Sequence, residues 1–178
     1  MNRNGVWMAA AAVLSIVALG SCSAVNKGGT SGNVTNAKAD LAPTQGNSVH
    51  GTVRFTQQAD GVRVEADLTG LTPGTHGIHI HENGDCSSPD GSSAGAHYNP
   101  TNMQHGGPDA SQHHMGDLGN IVADSTGAAH YDHVVSFLSL NGSTTIVGRS
   151  VVVHHDPDDL TSQPAGNSGP RIACGVIR

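Results

Sequence analysis

Short apolar and alternating runs recur along the chain, and groups of turn-forming residues separate them. Seven runs have strand character: 49–57, 62–68, 77–81, 121–123, 128–135, 145–154 and 171–177. The run 62–68 (VRVEADL) alternates apolar and polar side chains, and Asp60-Gly61 just before it predicts a β-hairpin with the preceding run. The turn sequence Asp124-Ser125-Thr126-Gly127 predicts a second hairpin. The pattern indicates an antiparallel, all-β domain.

Two long segments, 85–117 and 156–170, have no strand character and are rich in Gly, Pro, Ser, Asp and His. Long loops without secondary structure inside a compact domain usually carry function. Many short strands joined by such loops predict a β-sandwich or a flattened Greek-key barrel with two functional loops. The 24 glycines and the low charged fraction of 12% argue against a helical bundle or a coiled coil.

The charge balance excludes one class of partner. Eight Lys and Arg residues stand against fourteen Asp and Glu residues, which gives a net charge of −6. Because the chain has no basic stripe, we expect no nucleic-acid partner. Twelve histidines in 178 residues are the unusual feature that a function has to explain.

The first 21 residues predict a targeting segment. Arg3 precedes the uncharged, mostly apolar run 6–19, which is too short to cross a bilayer comfortably. The segment ends in Leu19-Gly20-Ser21-Cys22, which resembles the lipobox of bacterial lipoproteins. We therefore expect a lipoprotein signal peptide over 1–21 and a lipid-modified Cys22. The alternative is an ordinary signal peptide that is cleaved nearby, with Cys22 incidental.

This interpretation predicts a location in the cell envelope, with the protein periplasmic and lipid-anchored. Ser23 after the cysteine resembles the outer-membrane sorting pattern of Gram-negative lipoproteins, which favours the outer over the inner membrane in such a cell. Residues 22–36 are small, polar and glycine-rich, so they predict a flexible tether that reaches about 20 Å, followed by a domain over 37–178.

Cysteine usage agrees with export. If Cys22 carries the lipid, two cysteines remain, Cys86 and Cys174. Export would place this pair in an oxidising compartment. A disulfide between them would close a loop of about 88 residues, and the alternative is two free buried thiols.

Histidines at three places suggest metal binding. His79 and His81 would share one face of a strand about 6.6–7 Å apart, although such pairs also occur on solvent-facing strands. The following loop carries three imidazoles and one carboxylate, a donor set that suits four-coordinate zinc: His97, His105, His114 and Asp117. The alternative there is a loosely chelating surface loop. His154 ends the run Val151-Val152-Val153 and by itself could equally be a surface residue.

Six ordered motifs resemble the copper,zinc superoxide dismutases of the exported bacterial kind, over about residues 37–178. The motifs are GIHIHENGDC from Gly77, SAGAHYNP from Ser93, HGGP from His105, HMGDLGN from His114, GRSVVVH from Gly148 and GPRIACGVI from Gly169. The resemblance implies a flattened, eight-stranded Greek-key barrel. It also implies dismutation of superoxide to dioxygen and hydrogen peroxide by one-electron cycling of copper, in defence of the cell envelope.

The resemblance also implies roles for individual residues. The copper ligands would be His79, His81, His97 and His154. The zinc ligands would be His97, which bridges the two metals, with His105, His114 and Asp117. Asp158 would hydrogen-bond His79 and His105, and Arg171 would guide the substrate, so that His97 and Arg171 are the catalytic residues. Cys86 and Cys174 match the disulfide of the family.

The sequence departs from the family pattern in the loop 160–165 (LTSQPA), which has neither Lys nor Glu. Attraction of superoxide would therefore rest largely on Arg171 and the metals. A non-catalytic copper-buffering module is the main alternative function, and a two-metal hydrolase is a weaker one because Asp117 is the sole carboxylate in the ligand set. Relatives include dimers and monomers, so a homodimer stays open.

The remaining histidines have no role implied by the resemblance, and we expect most to be surface or hydrogen-bonded polar residues: His50, His76, His113, His130, His133 and His155.

Overall fold

Eight antiparallel β-strands and one short 3-10 helix make up the part of the chain that the computed structural model describes, residues 1–2 and 32–178. The strands are β1 (Asn36–Pro43), β2 (His50–Gln58), β3 (Gly61–Thr69), β4 (Gly74–His81), β5 (Asp117–Ala123), β6 (Ala129–Val135), β7 (Ser150–His154) and β8 (Arg171–Val176). The 3-10 helix, Ser92–Ala94, lies in the long loop after β4.

The strands close into a barrel in the order β1-β2-β3-β6-β5-β4-β7-β8. The pairing of β1 with β8, for example Ala42 opposite Cys174, completes the ring. The connection from β3 to β4 passes over β6 and β5, and the connection from β6 to β7 passes over β5 and β4, which is the Greek-key arrangement. The prediction of an all-β, eight-stranded barrel with two long loops is confirmed.

Alternation along the strands separates the core from the surface. In β1 the residues Ala37, Ala39 and Leu41 are buried while their neighbours are exposed. The barrel interior is filled by completely buried aliphatic and aromatic side chains that include Phe55 and Ile80. This rigid, apolar barrel is the platform on which the loops are held.

Strand boundaries differ from the prediction in two places. β1 has no counterpart among the predicted runs, because its sequence NAKADLAP holds alanines and no β-branched residue, so its alternation gives a weak strand signal. The predicted run 145–154 begins as a strand only at Ser150. Before it, Gly148 has φ +84° and Thr145 Oγ1 donates to the Leu140 carbonyl, so this stretch forms turns.

The domain also begins earlier than residue 37. The backbone N–H of Val34 donates to Asn141 Oδ1, and Asn141 Nδ2 donates back to the Val34 carbonyl. Residues 34–36, which the sequence analysis assigned to the tether, therefore belong to the domain. The rest of the predicted tether except 32–33, Cys22 and nearly all of the predicted signal peptide lie outside the described residues. Within the described part, no helix is long and apolar enough to cross a membrane.

A disulfide joins the first long loop to the barrel. Cys86 in the loop after β4 is bonded to Cys174 in β8, with 5.7 Å between the Cα atoms. The predicted pairing is confirmed, and it holds the loop against the strand that begins with Arg171.

Candidate metal centre

β4 lies between β5 and β7, and this neighbourhood brings the separate histidine motifs together. His79 is paired with Asp117 at the start of β5 and with Val152 of β7. His81 is bridged to His97 in the loop after β4. Ile78 and Ile80 are buried in the apolar core, so the alternating His79 and His81 lie on the opposite face of the strand, under the two long loops.

Four histidines form the first group, the four-histidine cluster. Its members are all buried, and one ring nitrogen from each lies within 4.8 Å of the others: His79, His81, His97 and His154. Nε2 of His81 and Nε2 of His154 face each other at 3.4 Å. Nδ1 of His79 and Nε2 of His97 are buried and have no hydrogen-bond partner.

The second nitrogen of each of these rings is held by a fixed acceptor. Nδ1 of His81 lies 2.9 Å from the Gly95 carbonyl, and Nδ1 of His154 lies 3.1 Å from the Gly169 carbonyl. Nε2 of His79 lies 2.8 Å from Asp158 Oδ2, and Nδ1 of His97 lies 2.8 Å from Asp117 Oδ1. Outer contacts of this kind fix the orientation of imidazoles that bind metals.

The second group, the Asp117 cluster, shares His97 with the first and is equally buried: His97, His105, His114 and Asp117. The Oδ1 atom of Asp117 lies 2.8, 3.1 and 3.3 Å from the Nδ1 atoms of His97, His105 and His114 respectively. The Oδ2 atom accepts backbone hydrogen bonds from Gly106 and His114. One carboxylate oxygen is therefore held by the loop while the other points at three imidazoles.

Both donor sets fit metal ions. Around a tetrahedral ion with bonds of about 2.0–2.1 Å, ligand atoms lie about 3.3 Å apart, which matches the spacing around Asp117 Oδ1. The buried nitrogens Nδ1 of His79 and Nε2 of His97 have no hydrogen-bond partner and would each cost free energy unless a ligand satisfied them. The structure thus brings together the seven residues that the sequence analysis named as ligands.

Asp158 links the two groups. Its Oδ1 lies 2.9 Å from Nε2 of His105, while its other oxygen contacts His79 of the four-histidine cluster. The loop can approach so closely because Gly166 has φ +65° and no side chain. A Cβ there would clash with Asp158 Oδ1 and His105 Nε2.

Burial keeps three members of the four-histidine cluster neutral: His79, His81 and His154. It lowers the pKa of His79 to about 4 and of His154 to about 3, and it lowers the pKa of His81 well below the usual value. A neutral imidazole is the form that binds a metal, so these rings are ready to act as ligands at neutral pH.

The Asp117 cluster contains histidines of both kinds, because burial lowers the pKa of His114 whereas that of His105 is raised. Burial by itself disfavours the charged forms, but hydrogen bonds to Asp117 and Asp158 raise the pKa of His105 to about 9. Contacts with the histidines hold the pKa of both carboxyls well below the usual range. Without a metal, His105 therefore keeps a proton between two carboxylates, and metal binding has to release it.

A cavity of about 730 Å³ gives access to the centre, and His81, His97, His114 and His154 line it. Arg171 lines the same cavity, and its Nη1 and Nη2 donate to the carbonyls of Gly91 and Gly95 at 2.6 Å.

Two further residues that line this cavity, Tyr98 and Arg149, were not among the predicted site residues. Arg149 belongs to the GRSVVVH motif, but it precedes His154 by five residues, and that separation along a strand gave no reason to place both beside one cavity.

Of the six histidines without an implied role, His76 is the one that is fully buried. Its Nδ1 lies 3.0 Å from the His154 carbonyl and its Nε2 lies 2.8 Å from the Thr72 carbonyl, so it is a hydrogen-bonded core residue. His113 is half-buried beside Phe137. Within the described residues, neither of them nor any other unassigned histidine belongs to a group that could hold a metal.

Replacement of Asp158 by Asn is expected to weaken metal binding at both groups by about 10- to 100-fold, because one of the two oxygens that face His79 and His105 becomes an NH2 donor and the two imidazoles compete for the one acceptor that is left. Competition with a chelator measures the two affinities. Asp156→Asn is the matched control, since this exposed carboxylate contacts the exposed His155. Wild-type affinities in Asp158→Asn would show that the carboxylate does not position the ligands.

Comparison with known proteins agrees with this geometry. Residues 49–177 match the family described as copper/zinc superoxide dismutase (SODC). The "Superoxide dismutase [Cu-Zn]" of Paramecium bursaria Chlorella virus 1 is 45% identical over 161 residues, which cover 86% of this chain and 84% of that protein. The "Extracellular superoxide dismutase [Cu-Zn]" of Brugia pahangi is 43% identical over 150 residues, which cover 79% and 74%.

A solved structure also matches. The crystal structure of the clock protein EA4 superposes with a TM-score of 0.73 at 41% identity, and the match covers 80% of this chain and 93% of that one. The family match extends over most of the barrel and both long loops, and the two groups of buried ligands provide for two metals. The chain therefore belongs to the copper/zinc superoxide dismutase family, oxidoreductases whose cofactors are copper and zinc.

Proposed function

We propose that the protein dismutates superoxide at this centre, with copper held by the four-histidine cluster and zinc by the Asp117 cluster. Two superoxide anions and two protons give one dioxygen and one hydrogen peroxide, so one superoxide is oxidised and the other is reduced. Bound copper supplies the one-electron redox change, which zinc cannot undergo. The observation that carries the proposal is that His97 belongs to both donor sets.

His97 is suited to hold and deliver a proton. Its Nδ1 is directed at Asp117 and its buried Nε2 has no partner within the described structure, so the two nitrogens serve different groups. In the proposed cycle Nε2 takes up a proton in one half-reaction and donates it to the reduced substrate in the other, and solvent supplies the second proton of hydrogen peroxide. Asp117 keeps the ring in place throughout, because the carboxylate is itself anchored to the backbone N–H groups of Gly106 and His114.

Arg171 is suited to orient the anionic substrate. Two carbonyls hold its guanidinium at the cavity wall, and the side chain is only half-buried. Burial lowers the pKa of Arg171, but from so high a value that the group stays charged at neutral pH. A fixed planar cation with free N–H groups is a good binding partner for a small anion.

The direct test is superoxide dismutation by the purified protein loaded with one copper and one zinc. We expect catalytic turnover well above that of free copper. Stoichiometric metal binding with turnover no better than free copper would contradict the proposal and favour a copper-buffering module instead.

We also propose that the protein is exported and anchored by a lipid on Cys22, so that it removes superoxide at the cell envelope. The lipobox-like Leu19-Gly20-Ser21-Cys22 supports anchoring, and the relative from Brugia pahangi carries the name extracellular. The disulfide agrees with an oxidising compartment.

Mass spectrometry of the membrane-extracted chain is expected to show Cys22 as a lipid-modified N-terminus. Cys22→Ala should leave the membrane fraction, whereas Asn26→Ala, which lies outside the lipobox-like segment, should stay. An unmodified chain that starts elsewhere would overturn the lipid anchor, and equal tolerance of external superoxide in a deletion strain would overturn the protective role.

A further inference from the structure

Cations are few in the domain, and half of them are engaged by carboxylates. The domain has six Lys and Arg residues: Lys38, Arg54, Arg63, Arg149, Arg171 and Arg178. The first three form ion pairs on the outside of the barrel, with Asp40, Asp67 and Asp132 respectively. Among the described residues, no carboxylate oxygen lies within 4.0 Å of the side-chain nitrogens of the other three.

Two of these three cations share one place. Arg149 and Arg171 line the same cavity of about 730 Å³, which leads to His97 and His154. Arg178 lines a different groove beside Lys38. The protein has a net charge of −6. Even so, two of the three described cations that have no carboxylate partner line the cavity that leads to the metal centre.

The guanidinium of Arg149 is held in position without neutralising its charge. Its Cζ lies 4.1 Å from the centroid of the Tyr98 ring, and its Nη1 donates to the Glu82 backbone carbonyl at 2.6 Å. Tyr98 is itself rigid, because it is buried and its backbone bonds to Ile80 and Gly116. A ring face and a carbonyl are partners that fix an arginine and leave its net charge in place.

Glu82 is the one carboxylate residue in the cavity lining, and its side chain is used elsewhere. Its Oε1 accepts a hydrogen bond from the backbone N–H of Ala96 at 3.1 Å. The contact of Arg149 is to the backbone of Glu82 and not to its carboxylate, so the positive charge of Arg149 faces the cavity.

Arg149 is not itself among the ligands: its guanidinium contacts Glu82 and Tyr98, the residues that directly follow His81 and His97. A charge in that position affects the approach of an anion, and salt screens it within about 8–10 Å.

We propose that Arg149 is a second anion-guiding residue, which draws superoxide into the cavity before Arg171 orients it. This inference rests on the proposed dismutation. The loop 160–165 contains no Lys or Arg, and Arg149 supplies a cation to the cavity from just before β7 instead. This position is evident from the structure and not from the sequence of the loop.

The test compares three variants with the wild type as copper- and zinc-loaded protein: Arg149→Gln, Arg149→Lys and Arg178→Gln. We expect Arg149→Gln to lower the second-order rate constant for superoxide by about two- to fivefold at low ionic strength, with a shallower fall as salt is added. Arg149→Lys should keep most of the rate and the salt dependence. Arg178→Gln removes the same charge from a different groove, the one beside Lys38, and should match the wild type.

A second readout does not depend on turnover. The ³⁵Cl NMR line width of chloride reports anion binding to the metal-free protein, and Arg149→Gln should reduce the excess line width while Arg178→Gln should not. Wild-type rate and salt dependence in Arg149→Gln would overturn the inference. So would a slower variant with unchanged salt dependence that lysine does not rescue, since that result means a structural role.

These outcomes are separate from failure of the proposed function. If the loaded wild type does not dismutate superoxide, the proposed function is wrong, and the chloride measurement still decides whether Arg149 attracts anions into the cavity.

Discussion

His154→Ala is expected to remove catalytic dismutation, with a loss of more than about 100-fold relative to the wild type. The variant deletes one of four imidazoles that converge in a buried space, so the remaining three cannot complete the same donor set. Zinc binding should persist, because His154 does not belong to the Asp117 cluster. Stopped-flow measurement of superoxide decay, together with the copper and zinc content of the same sample, checks both parts.

The neighbouring residue provides the control for that variant. His155 is exposed, and its Nδ1 contacts Asp156, so His155→Ala removes an imidazole without touching either group of ligands. It should keep wild-type turnover and metal content. Normal turnover in His154→Ala would show that the four-histidine cluster is not the redox site, and loss of zinc together with copper would show that the two groups are not independent.

Removal of the disulfide should cause the largest loss of stability. Cys86→Ser/Cys174→Ser opens a crosslink with a sequence separation of 88, and the chain-entropy model gives a reduction of about 4–5 kcal/mol in the free energy of unfolding. Urea unfolding of the metal-free protein measures the difference without a contribution from bound metal.

Removal of the disulfide should also affect the metal centre, because the loop after β4 would be held less firmly. Gly91 and Gly95 lie in the loop that the disulfide holds, and their carbonyls are the acceptors that fix Arg171. We therefore expect the loaded double variant to be slower as well as less stable. Ser87→Ala, an exposed position next to Cys86, should change neither quantity by much. A double variant as stable as the wild type would mean that the crosslink does not restrict the unfolded chain.

Much of the centre could be predicted from the sequence because its ligands carry local signatures. The alternation of His79 and His81 is enough to place both on one face of a strand, and the loop motifs around His97, His105 and His114 contain the donor types that zinc requires. His154 was ambiguous by itself, and only the longer motif gave it a role.

Other features lay beyond local patterns. β1 was missed because alanines alternate there and give a weak strand signal, and the strand is set by its pairing with β2, for example Ala39 opposite Val53. His76 fits the expectation of a hydrogen-bonded polar residue, but only the fold shows that it lies in the core against the backbone of His154. Which ring nitrogen of each histidine is free also depends on acceptors that arrive from other loops, such as Asp158.

By itself, the sequence determined the class of fold, the cysteine pair, the types of metal donor and the family to which they belong, because these depend on short-range periodicity and on residue chemistry. The tertiary structure alone decided that Arg149 and Arg171 share one cavity and that Asp158 joins two groups of ligands. The physical reason is that the closed Greek-key barrel sets β4 beside β5 and β7, and that closure, not spacing along the chain, determines which side chains meet.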